Sequence, residues 1–219
     1  MKHSKKLLQL TLLAAVLSLA MTGCGGKSGA VKIGVLQYAD HPSLDNCRIG
    51  FEESLKASGI EYELETKSAQ GDDATNTQIA QNFAAQKLDL VCGIATPSAQ
   101  AAYNACYEAK IPVVFNAVSD PVAANLAKSK TETIDGITGV SDELPVTAQL
   151  ELIREMMPDA KKIGILYTTS EANSVSTIET YKAEAPDYGF EIVEKASQTQ
   201  RKSLRRQTCS FPRLTVFQI

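Results

Sequence analysis

Tryptophan is absent from this sequence, and aromatic residues make up only 6% of its 219 residues. A sugar-binding cleft walled by stacked indole rings is therefore not expected. Histidine is nearly absent as well, since His3 lies in the N-terminal leader and His41 is the one histidine of the body. The cysteines form no CxxC motif and no Cys/His pair at ligand spacing, so the sequence predicts no metal site and no cofactor. We expect free or loosely paired thiols at Cys47, Cys92, Cys106 and Cys209.

The scarcity of histidine also bears on catalysis. A nucleophile needs an adjacent base that a third group orients, and the body offers one histidine and no Gly-x-Ser-x-Gly elbow. Two pairs of neighbouring carboxylates, Glu52–Glu53 and Asp72–Asp73, fall on a helix surface and in a turn, where such pairs are usually solvated charge. We therefore predict that the protein is not an enzyme.

Acidic residues are missing from the C-terminal end of the chain, although they dominate the rest. All 25 acidic residues lie at or before Glu194 and 17 basic ones lie before Ser197, whereas residues 198–219 contain five basic residues and no acid. An acidic body argues against a nucleic acid as a partner. The segment 198–219 is either a basic binding tail or an aberrant, frameshifted end, and the lack of a helical face favours the second interpretation.

The longest apolar run, Leu7–Met21, is too short to span a membrane. Three lysines precede it, and this arrangement is typical of a secretory signal. It leads to Cys24 in a context that resembles a bacterial lipobox, in which the cysteine is lipidated, with Met21 in place of the usual leucine. The alternative is ordinary cleavage, with Cys24 as a spare thiol. Residues 1–23 are thus predicted as a lipoprotein signal peptide and 24–30 as a Gly/Ser-rich tether. The domain would be lipid-anchored at the extracytoplasmic face of the membrane.

An internal repeat organises the body of the chain. The phrase KIGVL at Lys32 returns as KIGIL at Lys162, and Gly59 before one alternating stretch corresponds to Gly189 before another, each 130 residues apart. A period this long indicates a duplicated domain rather than a solenoid unit. Each copy is predicted as strand, helix, strand, and two such lobes would enclose a cleft of the kind that binds small ligands.

The order of elements predicts an α/β fold with two Rossmann-like lobes and parallel sheets. We place the first lobe at 31–145 and the start of an incomplete second lobe at 146–197. Gly59 is expected to end a helix that begins at Pro42, and Thr96 to cap a helix with Pro97 in its first turn. A helix over 145–157 should bury Val146, Leu150, Ile153 and Met157 along one face.

Polar side chains follow the predicted strands at the points where each strand ends. In open α/β sheets, ligands bind beyond the carboxyl ends of the strands, close to helix N-termini that favour an anion. Any single hydroxyl here could serve only as a helix cap, so the prediction depends on their convergence. The candidate ligand-binding residues are Gln37, Tyr38, Thr96, Ser98, Asn116, Ser119, Asp120, Asn173 and Ser174.

Four segments together resemble the TrpX-type substrate-binding lipoproteins of ABC importers: KIGVLQ at 32–37, GIATPSA at 93–99, PVVFNAVSDP at 112–121 and SEANS at 170–174. The resemblance extends from Cys24 to about Ser197. It implies a periplasmic-binding-protein-like fold whose inter-lobe cleft captures an amino acid, often an aromatic one. It also implies a membrane permease and its ATPase as partners.

The resemblance carries roles for individual residues. Thr96 and Ser98 would hold the ligand carboxylate, and Ser119 and Asp120 would line the cleft. Two residues of the second lobe, Asn173 and Ser174, would reach in from the other side. Tyr38 is a candidate wall for an aromatic or apolar ligand side chain.

The resemblance ends at about Ser197, whereas family members continue through further second-lobe strands and return to the first lobe. We therefore expect this 219-residue form to bind its ligand poorly or not at all. Two alternatives share the fold: a sugar- or nucleoside-binding protein, and the effector domain of a repressor. The second would need a DNA-binding helix-turn-helix where this chain has its leader.

Overall fold

The computed structural model describes residues 29–197 and the backbone of 215–218. Residues Val31–Ile219 form one compact unit, to which the description below applies. The predicted signal peptide, the lipidation site Cys24, most of the tether and Cys209 lie outside the described residues.

The first lobe is built on a five-stranded, fully parallel sheet of order β2-β1-β3-β4-β7. A small antiparallel hairpin, β5–β6, interrupts the connection to the last strand. The strands are β1 (Val31–Gln37), β2 (Tyr62–Ser68), β3 (Leu90–Ile94), β4 (Val113–Val118), β5 (Ala127–Ser129), β6 (Glu132–Thr133) and β7 (Ile137–Ser141). The helices are α1 (Pro42–Ser58), α2 (Asp73–Ala85) and α3 (Thr96–Cys106).

Local sequence signals explain where these helices begin and end. Pro42 occupies the first turn of α1, and the backbone N–H of Ser43 donates to Nδ1 of His41 at 3.2 Å. Gly59 ends α1 in the left-handed conformation, with φ of 72°, which glycine adopts without steric cost. At α2, the Asp72 carboxylate accepts from the N–H of Thr75 at 2.8 Å.

The two faces of the first sheet are covered unequally. Helices α2 and α3 bury one face in a core that includes Leu36, Phe83 and Val113. On the other face no residue of α1 is buried; its apolar side chains are only half-buried against Val35 and Ile94. The three-and-four spacing in α1 therefore marks a contact face, although a shallower one than in α2.

The second lobe comprises α4 (Val146–Met156), β8 (Lys162–Thr168), α5 (Ala172–Glu184), a 3₁₀ turn (Ala185–Tyr188), β9 (Glu191–Ser197) and β10 (Thr215–Gln218). Its sheet is parallel, of order β10-β8-β9. The sequence led us to expect only two strands here. The structure differs because the backbone of 215–218 pairs with β8, in the position that β3 occupies beside β1.

Helix α4 buries the face that its spacing predicts, with one exception. Val146, Leu150 and Ile153 pack with Ile163 in the core of the second lobe. Met157 was expected on this face but is 41% exposed, because the helix ends at Met156 and the chain turns away.

Arg154 joins the end of α4 to the rest of the lobe. Its guanidinium donates to the carbonyl oxygens of Tyr188 at 2.7 Å and of Pro158 and Ala160 at 2.8 Å each. It also stacks over the ring of Phe190, 3.8 Å from the ring centre. One side chain thus fixes the loop before β8 and the turn before β9.

The strand pairing differs slightly between the two halves of the repeat. In the first lobe Lys32 of β1 lies opposite Glu63 of β2. In the second lobe the equivalent Lys162 of β8 lies opposite Glu191 of β9.

The described cysteines Cys47, Cys92 and Cys106 are free thiols. Burial raises the pKa of Cys92 to about 12 and that of Cys106 to about 11. Both stay protonated at neutral pH, and the thiol is the unreactive form. These two cysteines therefore act as small core residues.

Candidate functional site

The candidate residues of the first lobe lie together because their strands are neighbours. Gln37, the last residue of β1, is in register with Ile94, the last residue of β3. The N–H of Tyr38 donates to the carbonyl of Ile94 at 3.2 Å, and the N–H of Ala95 donates to the carbonyl of Asn116 at 3.0 Å. The ends of β1, β3 and β4 thus form one edge, as the sequence predicted.

The turn from β3 into α3 has a strained backbone. Ala95 precedes the helix with φ of 76° and ψ of 156°, a region that residues other than glycine rarely adopt. The prediction that the Thr96 side chain caps this helix is wrong, because Thr96 is already helical and no side-chain cap bond forms. Thr96 is instead 1% exposed, and its Oγ1 has no hydrogen-bond partner among the described residues.

Ser98 is engaged by a residue that the sequence analysis missed. Its hydroxyl donates to Oδ1 of Asn76 at 2.7 Å, and Nδ2 of Asn76 donates to the carbonyl of Pro97 at 3.0 Å. The first turn of α3 is therefore fastened to α2. The sequence did indicate that Asn76 lies on the buried face of α2, because it precedes Ile79 by three residues and Phe83 by seven, which places it on the apolar face of the helix.

At the end of β1, two side chains are held in fixed orientations. The hydroxyl of Tyr38, which is 5% exposed, donates to Oδ1 of Asp73 at 2.8 Å. Nε2 of Gln37 donates to the carbonyl of Ala39 and to Oδ1 of Asp45, both at 2.8 Å. Gln37 is 2% exposed, and its Oε1 has no partner in the described part of the chain.

The second lobe presents the beginning of α5 to this edge. Helices α3 and α5 contact each other, and Ser174 is buried in the first turn of α5. Oδ1 of Asn173 is buried without a hydrogen-bond partner among residues 29–197. Glu171, which the sequence analysis did not select, directly precedes α5 and is 7% exposed.

Acidic groups set the electrostatics at Tyr38. Its pKa is raised well above the usual value, first by burial and then by the hydrogen bond to Asp73. The charges of Asp73, Glu171 and Asp72 raise the pKa further. The phenol therefore stays neutral, and Glu171 of the second lobe lies close enough to act on a side chain of the first.

Ser119 and Asp120 line a cavity of about 370 Å³, together with Ser176 and Thr177 of α5; we call it the hinge-side cavity because Glu143 and Leu144, between β7 and α4, also line it. The segment 142–145 crosses between the lobes beside it. Oδ2 of Asp120 accepts from the hydroxyl of Ser176 in α5 at 2.5 Å, which links the two lobes directly. Asn116 is turned away from this cavity, since its Nδ2 donates to the carbonyl of Cys47 at 3.4 Å.

The structure thus divides the nine candidates. Ser119 and Asp120 belong to the hinge-side cavity. Gln37, Tyr38, Thr96 and Ser98 are buried where the end of β1 meets the start of α3, and Asn173 and Ser174 lie at the start of α5. We call this region the inner cleft. The ninth candidate, Asn116, belongs to neither group. In the described residues we find no cluster of three or more His, Cys, Asp or Glu side chains arranged to hold a metal.

Acid is expected to weaken the Asp120–Ser176 link between the lobes. Burial alone would raise the pKa of Asp120, but hydrogen bonds from Ala123, Ser176 and Val122 outweigh it and hold the pKa below its usual value. The stabilisation is therefore complete above the unfolded value near 4 and is lost as pH falls through the lower folded value. We expect Asp120→Asn to shrink the drop in unfolding temperature between pH 7 and pH 3.

A matched control for this measurement is Asp159→Asn, at an exposed position before β8. It should leave the drop in unfolding temperature unchanged. An unchanged drop in the Asp120→Asn variant would show that the carboxylate adds nothing to the link.

The chain belongs to the family of ABC transporter substrate-binding proteins, whose model matches residues 32–204. It is 38% identical to the tyrosine-binding protein of Clostridioides difficile, over 91% of this chain and 62% of that protein. The family assignment made from the sequence motifs is thereby confirmed.

Solved structures confirm the two-lobed α/β fold class. A Streptococcus pneumoniae ABC domain in complex with L-Trp is 36% identical, with a TM-score of 0.75 over 80% of this chain and 59% of that one. A conserved domain protein from Vibrio cholerae is 41% identical, with a TM-score of 0.71 over 78% of this chain and 58% of that one. The chain thus spans about three fifths of the length of these relatives.

Proposed function

We propose that this chain captures an amino acid, most favourably an aromatic one such as tyrosine or tryptophan, in its inner cleft for an ABC importer. The observation that carries the proposal is a set of buried oxygens from both lobes that have no hydrogen-bond partner in the part of the chain that the structure describes: Oε1 of Gln37, Oγ1 of Thr96 and Oδ1 of Asn173. Buried polar atoms of this kind cost about 1–3 kcal/mol each unless something bonds them. A polar ligand between the lobes would supply the bonds.

The geometry at α3 supports a carboxylate at one end of that ligand. The first N–H groups of a helix have no intrahelical partners and favour an anion. Thr96 adds a buried hydroxyl at the same place. Because the Ser98 hydroxyl is held by Asn76, we propose that Ser98 contributes through its backbone and that Asn76 fixes the turn.

Relatives support an aromatic ligand. The Clostridioides difficile relative is a tyrosine-binding protein, and the Streptococcus pneumoniae structure contains L-Trp. Tyr38 offers a ring whose orientation is fixed by its bond to Asp73. We propose this ring as one wall of the side-chain pocket.

The partners and location follow from the same proposal. A binding protein of an importer works outside the cytoplasmic membrane and delivers its ligand to a permease driven by an ATPase. We propose that Cys24 carries the lipid anchor, after removal of 1–23, and that 24–30 is the tether. No helix within the described ranges has the length and apolarity needed to cross a membrane.

Ligand-observed saturation-transfer NMR tests the proposal and detects even millimolar binding. The 219-residue chain would be mixed in turn with L-tyrosine, L-tryptophan, D-tyrosine, glucose and uridine. We expect transfer to the two L-amino acids, which should displace each other, and little transfer to the others. Preferential transfer to glucose or uridine would favour the sugar- or nucleoside-binding alternative, and transfer to none would contradict ligand capture by this chain.

A further inference from the structure

Asp45 is not one of the residues of the inner cleft, but it holds one of their side chains. It lies half-buried in the first turn of α1, and its Oδ1 accepts from Nε2 of Gln37 at 2.8 Å. Nε2 of Gln37 also donates to the carbonyl of Ala39, at 2.8 Å. The Gln37 amide is thus bound on one side by the loop after β1 and by the start of α1.

These two neighbours determine which end of the Gln37 amide faces them. A carbonyl oxygen and an ionised carboxylate oxygen only accept hydrogen bonds. An amide turned the other way would place Oε1 against two oxygens, which repel it. The NH2 group of Gln37 therefore faces Ala39 and Asp45, and Oε1 lies at the opposite end of the amide.

Oε1 of Gln37 is thereby available only as an acceptor. Gln37 is 2% exposed, and its Oε1 has no hydrogen-bond partner in the residues that the structure describes. Gln37 ends β1, at the edge of the sheet where the inner cleft begins. A bound ligand would satisfy this oxygen by placing an N–H or O–H donor beside it.

The start of α1 gives Asp45 a rigid position. The backbone N–H of Asp45 donates to the carbonyl of His41 at 2.9 Å, and the N–H of Ser43 donates to Nδ1 of His41. Pro42 restricts the backbone of the same turn. A carboxylate in the first turn of a helix is also favoured by the free N–H groups there. The carboxylate of Asp45 is therefore placed by its own helix.

We infer that Asp45 is a positioning residue of the ligand site, which holds the Gln37 amide in the one orientation that presents an acceptor to the ligand. This role rests on the proposed function. The effect of Asp45 on binding passes through Gln37, and it depends on the accepting oxygen of Asp45 rather than on its charge. Without that oxygen the amide would be free to turn and to present its NH2 group to the donor of the ligand.

A double-mutant cycle on Asp45 and Gln37 tests this role. Ligand-observed NMR titrations give the Kd of L-tyrosine and of L-tryptophan for the full chain, Asp45→Ala, Gln37→Ala and the double variant. We expect Asp45→Ala to weaken binding about tenfold, the upper end for a neutral hydrogen bond. In the Gln37→Ala background, Asp45→Ala should cause no further loss, because the side chain on which it acts is gone.

Asp45→Asn and Glu53→Ala are the matched controls. Asparagine keeps an oxygen that can accept from Gln37, so Asp45→Asn should bind nearly as the unaltered chain does. A loss as large as that of Asp45→Ala would contradict the inference, because it would show that the charge is what matters. Glu53 is an exposed acid on the same helix, and Glu53→Ala should leave the Kd unchanged. Unfolding temperatures show whether each variant is folded.

The side-chain amide of Gln37 gives a second readout that needs no ligand. Its two hydrogens should exchange slowly with water, because both are donated and the side chain is buried. Proton–nitrogen correlation spectra measure this exchange, and the signals are assigned by their absence in Gln37→Ala. Exchange should become faster in Asp45→Ala and stay slow in Asp45→Asn. Equal exchange in Asp45→Ala and the unaltered chain would show that Asp45 does not hold the amide.

The outcomes separate this inference from the proposed function. If Asp45→Ala binds the amino acids as tightly as the unaltered chain, or if the losses from Asp45→Ala and Gln37→Ala add in the double variant, the role of Asp45 is refuted while amino-acid capture stands. If the unaltered chain binds neither amino acid, both proposals fail.

Discussion

Replacing Gly93 by alanine is expected to lower the free energy of unfolding of the first lobe by about 3 kcal/mol, at the upper end for overpacking. A Cβ at this position would lie 2.6 Å from Cα and 2.7 Å from the backbone nitrogen of Ala99. The obstacle is the backbone of α3, which cannot rotate away as a side chain would. Urea unfolding followed by circular dichroism measures the loss.

The same substitution should also weaken ligand binding, because α3 can only make room by moving the turn that carries Thr96 and Ser98. Gly50→Ala is the matched control: it lies within α1, and a Cβ there meets nothing within 4 Å. Alanine in an exposed helix is expected to add about 0.5–1 kcal/mol. Equal midpoints for Gly93→Ala and the unaltered chain would show that α3 does not approach β3 this closely.

Replacing Arg154 by alanine is expected to cost the second lobe about 3 kcal/mol. The substitution removes the donor for the carbonyls of Tyr188, Pro158 and Ala160, together with the contact over Phe190. Single hydrogen bonds to charged groups contribute about 1.5–3 kcal/mol, and water replaces part of them where the site is open. Urea unfolding monitored by tyrosine fluorescence reports the loss.

Two further variants show whether the guanidinium shape is what matters. Arg154→Lys keeps the charge but cannot serve several carbonyls in one plane, so it should recover less than half of the loss. Arg48→Ala is the control, because Arg48 makes a single, partly exposed i,i+4 pair with Glu52, which should contribute at most about 0.5 kcal/mol. A similar small loss for Arg154→Ala would mean that the turn before β9 holds without it.

Elements with strong local signals could be predicted from the sequence. Apolar runs give β1, β3 and β8, and Gly59 and Asp72 give helix ends, because strand burial and capping depend on neighbouring residues. The edge formed by Gln37, Thr96 and Asn116 was predictable for a related reason. Parallel strands must end on the same side, so the residues after them converge.

Features with a weak local signal, and those that depend on distant contacts, could not be predicted. The hairpin β5–β6 is short and polar, and the pairing of β10 with β8 joins segments far apart in sequence. Thr96 carried the signature of a cap, but the backbone at Ala95 starts the helix one residue earlier than that role requires. Glu171 was not selected from the sequence, because nothing in the neighbouring residues indicates that an acidic side chain there is buried.

The register between paired strands differs in the two halves of the repeat, although both halves keep a packed core. If the second lobe kept the register of the first, Lys162 would lie opposite Val193 rather than Glu191. The slip is two residues, and side chains alternate between faces with a period of two. Ile192 therefore still packs in the core with Ile163. The registers of two such lobes can therefore differ only by an even number of residues, since an odd shift would turn the core side chains outward.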